Sequence, residues 1–96
     1  MSAVTMVSIW RPKEKRISDF ATSVAKARKI QERLGAHVRV FVNNFGGAPA
    51  SFVYTAEVGS WQAFGEFGQR LESDPEWQKF WTEAQLNSSA DLLQNA

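Results

Sequence analysis

Trp10, Phe41, Tyr54, Trp61 and Trp77 are rings large enough to wall a pocket for a small, partly apolar molecule. Arg39, Asn43 and His37 fall on the same stretches of chain and could orient the polar groups of such a molecule. His37 could also serve as a general base, given a substrate proton within hydrogen-bond reach. A structural reading competes with each assignment. Arg39 and Asn43 can satisfy backbone groups or line a wet interface, Tyr54 can be a core aromatic with its hydroxyl at the rim, and His37 can be a surface or interface residue. No pairing of nucleophile and base, phosphate-binding loop or carboxylate dyad stands out from chance spacing.

Cysteine is absent, which removes disulfides, thiolate ligands and cysteine nucleophiles together. A lone histidine cannot build a multi-histidine zinc site or a two-histidine iron triad within one chain. No metal and no other cofactor is therefore expected. Glu72, Asp74 and Glu76 have the look of a cation site, but a helix start favours acids by itself.

Ninety-six residues allow one domain, spanning 1–96, with a core of its own. The net charge of +1 hides a lopsided distribution. Residues 1–40 carry nine Lys and Arg against three Asp and Glu, whereas residues 41–96 carry two against seven. Thr22, Lys26, Lys29 and Arg33 recur at helical spacing, so the basic half reads as the wet face of a helix and no nucleic-acid partner is expected. Apolar runs are too short to span a bilayer, and no secretory signal is visible at Met1–Val4. A cytoplasmic protein with no membrane partner is the expectation.

These residues must be held by a small set of elements. Val4 to Trp10 reads as a strand, apolar at both parities and so covered on both faces. A helix over residues 18–34 follows, with Ser18 as N-cap, an apolar stripe of Phe20, Val24, Ala27 and Leu34, and Gly35 closing the last turn. His37 to Phe45 and Ser51 to Val58 form an antiparallel hairpin around the turn signals of Asn44 to Ala50. A symmetric loop would set Phe41 opposite Tyr54 and Asn43 opposite Phe52. One hairpin face would then carry Val38, Val40 and Val42, and the other Phe41, Phe52 and Tyr54. Helices in a chain this short can cover one such face, so a second copy of the sheet is expected on the other.

Half of the aromatic residues fall between Gly59 and Trp81. Ser60 is an N-cap candidate, and Trp61, Phe64, Gly68 and Leu71 define a helical face with Glu66 and Arg70 as an i,i+4 pair outside. Gly65 and Gly68 are expected to permit close packing. Asp74 as N-cap with Pro75 at the first helical position, or Ser73 with Glu76 as a capping box, restarts the helix. Trp77, Phe80, Trp81 and Ala84 then form a second stripe, packed with the first onto the sheet. Helical structure ends at Asn87–Ser89, and Ala90 to Ala96 could be a fourth strand, a helical turn or a frayed end.

Strand, helix, strand, strand, helix and a candidate last strand is the order of the ferredoxin-like, split βαβ arrangement, an α+β fold with an antiparallel sheet. Trp61 and Phe64 after the third strand, followed by Ser73-Asp74-Pro75-Glu76-Trp77 and Phe80, resemble the dimeric α+β barrel superfamily, in particular its NIPSNAP-like branch. The resemblance implies a homodimer in which two ferredoxin-like subunits pair their sheets into a barrel. It also implies one of several activities: cofactor-independent monooxygenase, haem-degrading enzyme, small isomerase, or a stress or binding protein without chemistry. The chain departs from the haem-degrading pattern, because His37 starts the second strand and does not lie on the second helical segment. The expected function is binding of a small apolar or aromatic molecule, as a monooxygenase or isomerase, with a non-catalytic stress or assembly module as the alternative.

Overall fold

The computed structural model describes residues 3–43 and 51–95. The order is β1 (Val4–Pro12), α1 (Ile17–Arg33), β2 (His37–Asn43), β3 (Ser51–Val58), α2 (Trp61–Ser73), α3 (Pro75–Leu86) and β4 (Ala90–Asn95). The strands form one antiparallel sheet in the order β2-β3-β1-β4, and the fold is the ferredoxin-like α+β arrangement. The expected turn at Asn44 to Ala50, including Phe45 at the end of the second strand, lies outside the described residues.

Alternation along the strands divides the sheet into a helix-covered and an open face. Val38 pairs with Ala56, Val40 with Tyr54 and Val42 with Phe52, so the hairpin is displaced by one residue from the symmetric pairing. Phe41 stands opposite Val53 and Asn43 opposite Ser51. One residue of slip moves every side chain to the other face, and burial decides between the two choices. The adopted register puts Val38, Phe52, Ala56 and Val58, all buried, on one side. Phe52 and Tyr54 therefore share a face with the valines. Phe41, 54% exposed, is on the other with half-buried Val53 and, from β1, Val7 and Ile9.

Two clusters fill the covered side. Val4, Ala36, Val38, Ala56, Val58 and Phe67 form one, with Met6, Ala63, Phe64 and Leu71 against it. Phe20, Phe52 and Ala90 form the other, with Trp10 and Val24. Phe20 meets Phe52 edge-on at 5.1 Å and Trp10 at 5.9 Å, geometries that aromatic quadrupoles favour.

α1 begins one residue earlier than its composition suggests. Arg16 occupies the N-cap without a side-chain cap bond, so Ser18 is not the cap, and its carbonyl accepts from Thr22 Oγ1 at 3.0 Å. Arg16 is held there by remote partners, Asn87 Oδ1 at 3.0 Å and the Ser88 carbonyl at 3.2 Å. Gly35, at φ +112°, supplies the left-handed residue beyond the helix.

Ser60 accepts from the Ala63 N–H and caps α2, with Glu66 and Arg70 paired outside at 3.7 Å. The buried stripe of α2 is Ala63, Phe64, Phe67 and Leu71, not the face through Trp61 and Gly68. At about 100° per residue, Trp61 sits roughly 100° from the centre of that stripe and is 72% exposed. Gly65 and Gly68 do not serve close packing within the chain, since an added Cβ would meet nothing within 4 Å at either. The last segment is a strand despite its polar composition. β4 pairs with β1, with an irregularity between Ile9 and Trp10, and Lys13 N–H donates to the Ser89 carbonyl at 2.8 Å.

Asp74 ends α2 and starts α3. Its carboxylate accepts the Trp77 N–H at 2.9 Å, with Pro75 in the first turn, while Ser73 Oγ turns back to the Gln69 carbonyl, so the capping-box alternative is not used. Arg33, at the end of α1, donates to the same carboxylate at 2.9 Å and to Glu76 at 3.0 Å. The Trp77 N–H first, and the Arg33 guanidinium next, hold Asp74 below the usual carboxylate range. A carboxylate with a lowered folded pKa contributes stability that is present above its unfolded pKa and lost as pH falls through the folded value. At about pH 7 the melting temperature should therefore fall in the order wild type, Asp74→Asn, Asp74→Ala, because Asn still caps but carries no charge. The wild-type advantage over Asp74→Asn should shrink below about pH 4. Equal melting curves for the three proteins at neutral pH would contradict this role.

Candidate functional site

α3 is the helix that makes the site. The acceptors at its two ends bind opposite ends of α1, Asp74 and Glu76 through Arg33 and the Asn87–Ser88 segment through Arg16, so the two helices run antiparallel. None of the α3 residues is buried. It meets α1 and α2, and none of its side chains belongs to or packs against either core cluster, so its stripe is not packed into the sheet's core as expected. Between α3, α1 and the strands lies a cleft of about 290 Å³.

Phe20, Ser23, Val24, Ala27 and Gln31 line one wall at intervals of three and four residues along α1. From Phe20 to Gln31 that wall is roughly 16 Å long at the helical rise per residue. Trp77, Phe80, Trp81 and Ala84 line the α3 side, and Ser8, Trp10, Tyr54 and Ala56 form the floor. Trp77 and Trp81 lie nearly parallel, 16° apart with centroids at 5.8 Å, and Phe80 is 5.3 Å from Trp77. Trp10 Nε1 donates to Ser8 Oγ at 2.8 Å, which leaves the indole to act through its face.

Beside Ser23, Ser88 and Ser89, the polar lining of the cleft includes a bonded pair. Tyr54 donates its hydroxyl to Gln31 Oε1 at 2.7 Å. Burial, and next the negative charge of Glu32, push the Tyr54 phenol well above its ordinary range, opposed only by Arg28. The phenol thus stays protonated and acts as a hydrogen-bonding group, not as a base. Among the described residues the cleft lining contains no Asp, Glu, Lys, Arg or His. Charge begins outside it, in a polar depression of about 240 Å³ between α1 and α3 that includes Arg16, Asp19, Lys26 and Glu83.

The candidate residues read from sequence separate into groups. Trp10, Tyr54 and Trp77 come together at the cleft. His37, Arg39 and Phe41 start β2 and alternate onto the open face, where their strand partners are Glu57, Thr55 and Val53. Asn43 closes β2, and its side chain is outside the described residues. Trp61 stands on α2 away from the cleft, edge-on to Phe64 at 5.8 Å. Gln31 and Ser8 also line the cleft, as does Phe80, a stripe residue in the sequence and not a wall candidate. A polar residue continuing the α1 stripe of Phe20, Val24 and Ala27 was the available signal for Gln31. Among the described residues no group of His, Cys, Asp and Glu could hold a metal ion, and no helix is long and apolar enough to cross a membrane.

No protein-family model and no curated protein matches the sequence. Solved structures do match in fold. A NIPSNAP family protein with unknown function from Agrobacterium tumefaciens is similar with a TM-score of 0.73 at 19% identity, over 96% of this chain and 82% of that one. A second NIPSNAP family protein of that organism gives 0.72 at 16% identity, over 99% and 91%. SnoaB, a cofactor-independent oxygenase from Streptomyces nogalater, gives 0.69 at 17% identity, over 100% and 90%. The chain therefore shares the ferredoxin-like α+β fold of these proteins. Its structural neighbours include the NIPSNAP family, in agreement with the resemblance read from Trp61 to Phe80.

Tyr54→Phe should keep the fold and lower stability by about 1–2 kcal/mol, because Gln31 Oε1 loses its donor in a half-buried place. A shift of the urea midpoint without a change in slope would show it. An unchanged midpoint would mean that the pair contributes nothing.

Proposed function

We propose that the protein is a homodimer that binds a small, partly apolar, aromatic molecule in the cleft under α3. The observation that carries the reading is the helix itself. Trp77, Phe80 and Trp81 surround open space between α3 and the sheet, as a binding site requires. Trp10, Tyr54 and Trp77 are the wall residues in this reading, with Gln31 at the polar end. The alternative, an assembly or stress module whose aromatics serve packing alone, would favour a collapsed α3.

The dimer part rests on the open face. Val7, Ile9, Phe41 and Val53 lie where no helix among the described residues covers them, and the superfamily that the sequence resembles pairs two such sheets into a barrel. His37 and Arg39 would border that contact. Monooxygenase or isomerase chemistry is the narrower proposal. It draws on the oxygenase named among the neighbours, and a fold shared at 17% identity does not transfer an activity. With no ionised side chain in the lining, proton abstraction would fall to the substrate's own acidity or to solvent.

Light scattering at micromolar concentration should give twice the chain mass for the wild type. Phe41→Asp should give a monomer with an unchanged circular dichroism spectrum, and a wild-type monomer would sink the dimer. For the cleft, Ala84→Leu places a larger side chain in the space itself. It should leave the melting temperature unchanged or raised and abolish the tryptophan fluorescence response to neutral bicyclic aromatics. A variant that binds as well as the wild type would remove the cleft from consideration.

A further inference from the structure

The cleft lining is uncharged throughout, with an amide and a phenol at one end and the hydroxyls of Ser23, Ser88 and Ser89 elsewhere, which restricts what it can hold. Tyr54 gives its hydrogen to Gln31 Oε1, and no protein group accepts from Gln31 Nε2 among the described residues. That nitrogen is not sealed either, because no buried side-chain polar atom lacks a partner among the described residues. Gln31 is among the residues that line the cleft, and its amide N–H group is the part of that side chain left without a partner there among the described residues. The orientation of the amide follows from the phenol, which stays protonated and needs an acceptor.

The nearest charges do not alter this. Glu32 and Arg28 act on Tyr54 with opposite signs and lie 3.4 Å from each other as an ion pair outside the lining. Arg16 is committed to Asp19, Asn87 and the Ser88 carbonyl at the other end of α1. A carboxylate ligand in the cleft would lose its hydration with no cation to replace it. A plain hydrocarbon would strand the Gln31 donor.

We propose that the cleft selects an uncharged aromatic molecule with a hydrogen-bond acceptor at one end. Gln31 Nε2 donates to that acceptor, and the rings lie between Trp10 on the sheet and Trp77 and Phe80 on α3. The proposal rests on the cleft being the binding site argued above, and it adds the charge and polarity of the ligand. Two fused rings with a short carbonyl arm fit a wall roughly 16 Å long with room to spare.

Three probes of one shape separate the possibilities: acetylnaphthalene, which has a carbonyl, ethylnaphthalene, which has none, and naphthoate, which is charged. Tryptophan fluorescence titration of the whole protein should rank acetylnaphthalene first, with ethylnaphthalene about tenfold weaker. Naphthoate should be about a hundredfold weaker than acetylnaphthalene. In Gln31→Leu, acetylnaphthalene should lose about tenfold while ethylnaphthalene holds or gains. If that variant does not fold, the wild-type ranking still decides. Naphthoate binding as tightly as the ketone would mean that Lys26 at the rim recruits anions, and it would overturn the inference while leaving the cleft as a binding site. Equal binding of ketone and hydrocarbon would do the same. Failure of all three probes would overturn the binding reading itself, and the inference with it.

Discussion

Asp74 carries two contacts on one carboxylate, and the site depends on both. By accepting the Trp77 N–H it fixes where α3 starts, and by accepting from Arg33 it fixes where that start lies relative to α1. The chain has to bend here, because Asp74 is extended at ψ 118° and Pro75 has no N–H with which to continue α2. Without the bend, α2 would run on as one helix and carry Trp77 and Phe80 along its own axis. With the bend alone, α3 would be a short helix with no buried residue and little to hold it. Arg33 at one end and Arg16 at the other supply what burial does not.

Those polar attachments explain why a cleft persists. A helix held by its apolar stripe sinks until the stripe is covered, since packing at interior density is favourable. A helix held by its ends can keep the stripe at a distance. Trp77, Phe80 and Trp81 make contacts with one another, which recover part of the dispersion energy that the sheet would have given. Exposed charge pairs are individually weak, and Arg33 is half exposed, so α3 is the element of this fold with the least to lose on moving.

What could be read from the sequence was local. Ser60, Gly35 and the Asp74-Pro75 break are set by backbone chemistry within a few residues, and each does in the structure what its chemistry dictates. The fold class followed from the order of such segments. Features set by distant partners were not legible in that way. Arg16 displaces Ser18 at the start of α1 because Asn87 and Ser88 come to it across more than seventy positions. The adopted hairpin register buries Phe52 beside the valines, and one residue of slip was enough to change sides for Phe52 and Tyr54. That slip also divided the candidate site, since His37, Arg39 and Phe41 belong to a different face from Tyr54.

The division has a consequence for chemistry. If Tyr54 had shared a face with His37 and Arg39, the site would have joined a titratable base and a cation to an aromatic wall, a set suited to anionic substrates and proton transfer. With Tyr54 beneath the helices, its partner is the amide of Gln31, and the ionisable groups are left to the open face of the sheet. Under the proposed function, an uncharged cleft would bind through shape, ring contacts and neutral polar groups, and discrimination there would come from desolvation: a charged ligand loses water that no ion in the lining replaces. The open face, carrying both charge and Phe41, is suited to a different partner, a second surface that can bury the apolar centre and leave His37 and Arg39 wet at the rim. One register choice thus puts the uncharged aromatic cleft on one side of a four-stranded sheet and the ionisable groups with Phe41 on the other, the division on which the proposed function rests.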